Sequence, residues 1–356
     1  MTLSRRAFLT RGAMGAAALG LGAPLLQACG SDDEESTGAV ADGTDYGSLS
    51  IQFSWLHSLS FGPDYLWDAN EHATTNGFSA TELIVGGPSV PIVPVLLSGQ
   101  ARFGRAEVDG LAAAIQEGAG VKVVGVGYQQ SPYTVMSRSE SALASPADLM
   151  GKRIAVDENN VTLLGNLLTA NAMSVDDIEM VPANYDISLL ASEQVDGYVA
   201  YIPDEPISLE LQGIDVTRLD VEDFGLPTVG GLYITTDELI ADEREMVAAA
   251  LRTFIAGTQD FAADKAAAID LAVEAMGADA PGDDYNDLSY ENYLALTVGG
   301  EAASLGLLNI SEDRQAEVMA TLALSGVEME PSEMFDMSIL QEVLDDDPAL
   351  MEIPGA

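Results

Sequence analysis

Trp55 and His57 stand two residues apart in Phe53-Ser54-Trp55-Leu56-His57, at the end of an alternating segment over residues 48–55. An indole there offers a flat face for stacking on a ring. An imidazole can donate to or accept from a heterocycle, or sit as a capped surface group. Phe61 and Tyr65 come next; they extend an aromatic wall or, spaced by four on a helix, simply pack in the core. In Gly86-Gly87-Pro88-Ser89, glycines let backbone N–H groups approach a ligand. A helix starting at Ser89 would favour an anionic or acceptor group at its N-terminus, unless Ser89 serves only as its cap. Tyr128 and Gln129 close an apolar run over residues 121–128. Asn159 and Asn160 precede a helical segment and can bond a ligand or cap that helix. Tyr185 and Asp186 open another helix. Tyr198, Tyr201 and Glu205 surround the end of a strand at residues 197–201, and an aromatic pair facing Trp55 across a cleft would clamp a ring. Glu107 and Asp109 follow Phe103-Gly104 and could face a cleft, but in so acidic a chain solvated carboxylates are the expected reading.

These residue types point to binding rather than catalysis. The chain has one cysteine, Cys29, so no internal disulfide and no cysteine-based metal site can form. Its two histidines, His57 and His72, lack metal-ligand spacing, and neither a GxSxG motif nor a P-loop occurs. No enzyme, cofactor or metal is implied. The 57 acidic residues against 14 basic ones give a formal charge of −43, which repels nucleic acid and anionic lipid headgroups. Lysine occurs only at 122, 152 and 265, a surface suited to high salt. Few bases stand near the candidate turns: Arg102, Arg105, Arg138 and Arg218. Helix N-termini alone could still hold a sulfonate or nitrate, but the aromatic and amide content favours a neutral or cationic heterocycle, such as a pyrimidine or flavin.

Positioning these groups requires an exported α/β body. Ser4-Arg5-Arg6-Ala7-Phe8-Leu9 resembles a twin-arginine motif, and residues 13–26 are apolar but too short and too weakly hydrophobic to span a bilayer. Leu26-Gln27-Ala28-Cys29-Gly30 resembles a lipobox, with Gln27 bulkier than usual. The expected order is a signal peptide over 1–28, two acyl chains on Cys29 as a membrane anchor, and a flexible acidic linker over 29–47. Strands are then expected at 80–85, 101–104, 121–128, 152–156, 179–181, 197–201, 215–219 and 231–235. Helices fall between them, at 89–98, 108–117, 160–171, 187–192 and 209–212. This alternation implies parallel sheets covered by helices. Residues 237–276 and most of the chain beyond them are helical, with Gly257 marking a close approach rather than a stop.

Several segments in order resemble the solute-binding proteins of thiamine-pyrimidine, riboflavin, alkanesulfonate and nitrate importers. They are Phe53-Ser54-Trp55-Leu56-His57 with Phe61-Gly62 and Tyr65; Gly86-Gly87-Pro88; and Ser98-Gly99-Gln100-Ala101-Arg102-Phe103-Gly104. Ala147-Asp148-Leu149-Met150-Gly151-Lys152-Arg153-Ile154-Ala155-Val156 comes next, then Val195-Asp196-Gly197-Tyr198 with Glu205-Pro206 and Gly213. The resemblance covers residues 48–261. It implies an α/β, two-lobed clamshell of the type II periplasmic-binding-protein kind, with a helical C-terminal region. Lobe one would be residues 48–135 and 234–356, and lobe two residues 136–233. The two crossovers would lie near 133–137 and 231–235. It further implies an extracytoplasmic, monomeric lipoprotein that captures a small molecule between its lobes and delivers it to ABC permease and ATPase subunits. The same body could serve as a sensor ectodomain with no transporter. A relative of this fold makes thiamine pyrimidine with a cysteine cluster, residues this chain lacks.

Overall fold

The computed structural model describes residues 43–354; the leader, Cys29 and most of the expected linker lie outside the described residues. Ten strands are described: β1 Ser48–Gln52, β2 Ala80–Ile84, β3 Phe103–Ala106, β4 Val121–Tyr128 and β5 Tyr133–Arg138, then β6 Arg153–Val156, β7 Glu179–Pro182, β8 Gly197–Tyr201, β9 Val216–Asp220 and β10 Gly230–Thr236. They form two five-stranded sheets of matching order, β2-β1-β3-β10-β4 and β7-β6-β8-β5-β9.

Neither sheet is wholly parallel, contrary to the expectation from strand–helix alternation. In the first, β1 runs parallel to β2 and β3, whereas β10 runs antiparallel to β3 and β4. In the second, β6 runs parallel to β7 and β8, whereas β5 runs antiparallel to β8 and β9. The reason is local. A helix between two strands returns the chain to its starting end and makes the next strand parallel. Between β4 and β5 there are only four residues, so the chain passes straight into the other sheet in the opposite sense. Residues 221–229 return it to the first sheet.

Both faces of the first sheet are covered. One carries Phe53, Phe61, Trp67, Phe103, Tyr233 and Phe254; the other carries Leu96, Ala106, Val123, Leu232, Ile234 and Met334. Strand alternation explains the division: Tyr233 faces the first cluster while Leu232 and Ile234 face the second. The expected helical run over 237–276 is three helices, Asp237–Asp242, Arg244–Ala263 and Lys265–Met276. Thr236 caps the first by accepting from the Leu239 N–H, and Asp264 caps the third by accepting from the Ala267 N–H.

Gly257 does mark a close approach. A β-carbon there would lie 2.3 Å from the Pro63 carbonyl oxygen, so only glycine lets the Arg244–Ala263 helix seat against the Gly62–Ala69 helix. The helix expected from Ser89 begins later, at Ile92, and ends at Leu97. Pro94 is tolerated because the N–H it lacks falls in the first turn, where no intrahelical acceptor exists.

Candidate ligand-binding cleft

Between the sheets lies a cleft of about 1020 Å³, walled by the segments after β1, β2, β3, β6, β7 and β8. Its floor on the first sheet is built around a buried charge. The Arg105 guanidinium is 2% exposed and donates through Nη1 to Asp64 Oδ2 at 2.6 Å and to the Tyr233 hydroxyl at 2.7 Å. Trp67 Nε1 donates to the other oxygen of Asp64. Arg105 is thus held through Nη1 from behind, with Nε buried without a partner, and its guanidinium lies over the Tyr233 ring, 4.1 Å from the centroid.

Two residues further along, on the same side of the chain, is Glu107. Its Oε2 is buried without a hydrogen-bond partner, and the nearby Gly231 backbone favours its charged form. Burial pushes this carboxyl up to about 7, against the pull of Arg105. The close fit depends on Gly231, which has φ +58° and whose hypothetical β-carbon would stand 2.9 Å from Arg105 Nη2.

Tyrosines link the two walls. Tyr133 meets Tyr201 edge-on at 5.2 Å, Tyr201 lies 6.3 Å from Tyr293, and Tyr293 lies 5.9 Å from Tyr128. The Tyr285 and Tyr293 hydroxyls, from the helix Asp283–Val298, donate to the two oxygens of Asp204 at 2.9 and 3.1 Å. Next to Asp204, Glu205 Oε2 accepts from the Tyr201 N–H at 2.7 Å. Burial raises both carboxyls above their ordinary range, and Glu205 is raised further by the charge of Asp204. At the mouth, Trp55 and Tyr185 meet with centroids 5.2 Å apart. Asn159 donates to the Tyr185 hydroxyl at 3.2 Å, and Asp157 accepts from the Tyr185 N–H at 2.8 Å.

Residues 78–268, more than half of the chain, match the family described as NMT1/THI5 like. The chain belongs to the NMT1/THI5-like family. A curated relative, the riboflavin-binding protein RibY of Chloroflexus aurantiacus, is 25% identical over 238 residues, 64% of this chain and 66% of that protein, just under two thirds of its length. Among solved structures, the putative sulfonate-binding protein SsuA from Methylobacillus flagellatus superposes with a TM-score of 0.64 at 16% identity. That match covers 85% of this chain and 95% of the other. The alkanesulfonate-binding SsuA from Xanthomonas axonopodis pv. citri, solved with MOPS, gives 0.58 at 19% identity, covering 84% and 98%. The desulfurization enzyme DszB, solved with biphenyl-2-sulfinic acid, gives 0.57 at 15%, covering 84% and 99%. The fold of this family member is therefore the two-lobed α/β fold of periplasmic binding proteins.

The cleft brings together Trp55, His57, Phe61, Gly87 and Tyr128 from the first sheet's side, and Asn159, Asn160, Tyr201 and Glu205 from the second's. His57 is not a capped surface group; its Nδ1 pairs with the Tyr65 hydroxyl at 3.1 Å. Neither asparagine side chain caps the helix Val161–Ala170.

Three candidates stand apart from the cleft. Ser89 is exposed in the turn before Ile92, so no helix begins there. Gln129 is buried, and its amide donates to the Asn309 carbonyl at 2.9 Å. Tyr198 is fully buried, with its hydroxyl directed at Asp157, 3.4 Å away. Conversely, Glu107 and Asp109, read from sequence as solvated, line the cleft, and burial raises the Asp109 carboxyl as it does that of Glu107. Tyr133, Asp157, Asp204, Tyr285 and Tyr293 also line it and were not anticipated. The spacing of eight between Tyr285 and Tyr293 puts both on one helix face.

Proposed function

We propose that this protein is the extracytoplasmic solute-binding component of an ABC importer, taking up a neutral or cationic ring that carries N–H donors. It would be tethered by a lipid on Cys29 after Tat export, act as a monomer, and pass its ligand to permease and ATPase subunits. In this reading each lobe is built on one sheet. The expected bounds at 135/136 and 233/234 would cut β5 and β10, so they move to the crossings at 129–132 and 221–229, and the lobes close by a hinge there.

The observation that carries the ligand class is the polarity of the cleft. Glu107, Asp109, Asp157, Asp204 and Glu205 converge with tyrosine rings, whereas the one cation lining the cleft among the described residues, Arg105, is engaged through Nη1 by Asp64 and Tyr233. The Glu107 oxygen Oε2, buried without a partner beside stacking surfaces, suits an N–H donor on an aminopyrimidine, a thiamine precursor or a flavin better than a sulfonate or nitrate. The family membership and the riboflavin-binding relative support the same direction. Trp55, His57, Phe61, Gly87, Tyr128, Asn159, Asn160, Tyr201 and Glu205 are the proposed contacts. The lack of any cysteine besides Cys29 argues against cysteine-dependent chemistry in this cleft.

A melting series tests the reading. A ligand at a hundred times its dissociation constant adds about 2.7 kcal/mol to stability. Riboflavin or 4-aminopyrimidine should raise the melting point at high salt, and hexanesulfonate and nitrate should not. A rise with the anions alone would replace this reading by anion capture.

A further inference from the structure

The cleft continues past its acidic and aromatic side. Strand β3 produces this, because successive residues alternate between the faces of the sheet. Arg105 faces Asp64, Tyr233 and Phe61, and Glu107 follows it toward Gly231. Ala106 and Val108 point the other way and pack with Val93, Leu111 and Val229. Those five aliphatic residues line the same cleft, and so does Leu163, which belongs to the apolar cluster of the second sheet. The cleft therefore presents a patch of aliphatic side chains from both sheets beside its carboxylates and phenols. A volume of about 1020 Å³ far exceeds what one ring occupies. An aliphatic patch left uncovered would face water that has few polar partners there.

We propose that the ligand has two parts: a donor-bearing ring held on the Glu107 side, and an apolar substituent seated between the helices Val108–Gln116 and Val161–Ala170, against Val108, Leu111 and Leu163. This rests on the binding function proposed above and narrows its ligand class to amphiphilic ring compounds.

The probes are benzamidine, a cationic ring with N–H donors, and 4-propylbenzamidine, titrated calorimetrically into the purified protein. Each buried methylene strengthens binding about fourfold, so the propyl compound should bind tenfold tighter or better. Ala114→Phe adds a ring to the aliphatic patch, since Ala114 lines it from the helix Val108–Gln116. Leu163→Phe does so independently from the facing helix. Each should bring the propyl compound back to the affinity of benzamidine, and either variant that folds suffices. Benzamidine binding with no gain from the propyl group, or a gain that survives the substitutions, would overturn the two-part ligand and leave the binding function standing. Failure of both compounds to bind would overturn the acidic ring site and the two-part ligand with it.

Discussion

Trp55 and Tyr185 touch across the mouth of the cleft, their ring centroids 5.2 Å apart and their planes inclined by 52°. Trp55 follows β1 in the first sheet, and Tyr185 follows β7 in the second. Tyr185 holds this position at φ +57°, next to Asn184 at φ +50°, a backbone conformation that non-glycine residues rarely adopt. Asp157 pins the segment by accepting from the Tyr185 N–H. Local strain retained beside a cleft fits a residue whose ring is needed there.

Tyr185→Gly separates these two roles. Glycine relieves the backbone strain and removes a half-exposed ring, so unfolding free energy should stay within about 1 kcal/mol of the parent. Loss of an aromatic pair worth about 0.5–1.5 kcal/mol should weaken ligand binding several-fold, as a titration would show. Unchanged affinity would remove Tyr185 from the ligand-closing contacts.

Glu107 predicts a pH dependence. Its carboxyl sits near 7 in the folded protein and near the ordinary value of 4.5 when unfolded, so between these pH values the native state binds more protons. Its contribution therefore makes stability fall as pH rises from about 4.5 to about 7. Arg105 and the Gly231 backbone oppose this shift and Asp109 adds to it. Glu107→Gln should flatten that part of the stability profile. A cationic ligand should bind the parent more tightly as pH rises through 7, because the ionised carboxylate is then present. Denaturant unfolding and titration at pH 5 and pH 8 check both.

The buried Asp64–Arg105 pair should show the asymmetry of ion pairs in cores. Arg105→Met leaves Asp64, which is fully buried, without its cation and should cost about 3–5 kcal/mol. Adding Asp64→Leu should recover much of that loss, since no orphaned charge remains. Chemical denaturation of the single and double variants measures the difference.

Gly257→Ala tests how the C-terminal helices seat on the first sheet. The added methyl would meet the Pro63 carbonyl oxygen at 2.3 Å and the Trp67 side chain at 2.7 Å. The two helices must separate, at a cost of about 3 kcal/mol. A melting point equal to the parent's would contradict the packing.

Much of this architecture is legible in the sequence, because apolar runs and glycine stops mark the strands directly. The run 121–128 and the strand 197–201 coincide with β4 and β8. What sequence cannot supply is direction and depth. β5 and β10 are antiparallel because the chain crosses between the sheets at 129–132 and 221–229 with no returning α-helix, which periodicity does not register. Tyr198 and Tyr201 sit three apart on one strand and so face opposite sides; the first goes to the core and the second to the cleft. Gln129 looked available but meets Asn309, 180 residues away in sequence. Glu107 looked solvated because acids are common here, and only its neighbours Arg105 and Gly231 reveal that it is held inside. Tyr285 and Tyr293 reach Asp204 from 81 and 89 residues away in sequence, a proximity local patterning does not register.

The central claim is that the cleft selects ring compounds bearing donors over anions. Calorimetric titration with benzamidine and with benzenesulfonate tests it most directly, since both present one ring with opposite charge. The account predicts a saturable site of one benzamidine per monomer at pH 8 and no measurable heat from benzenesulfonate. Saturable binding of benzenesulfonate without binding of benzamidine would contradict it.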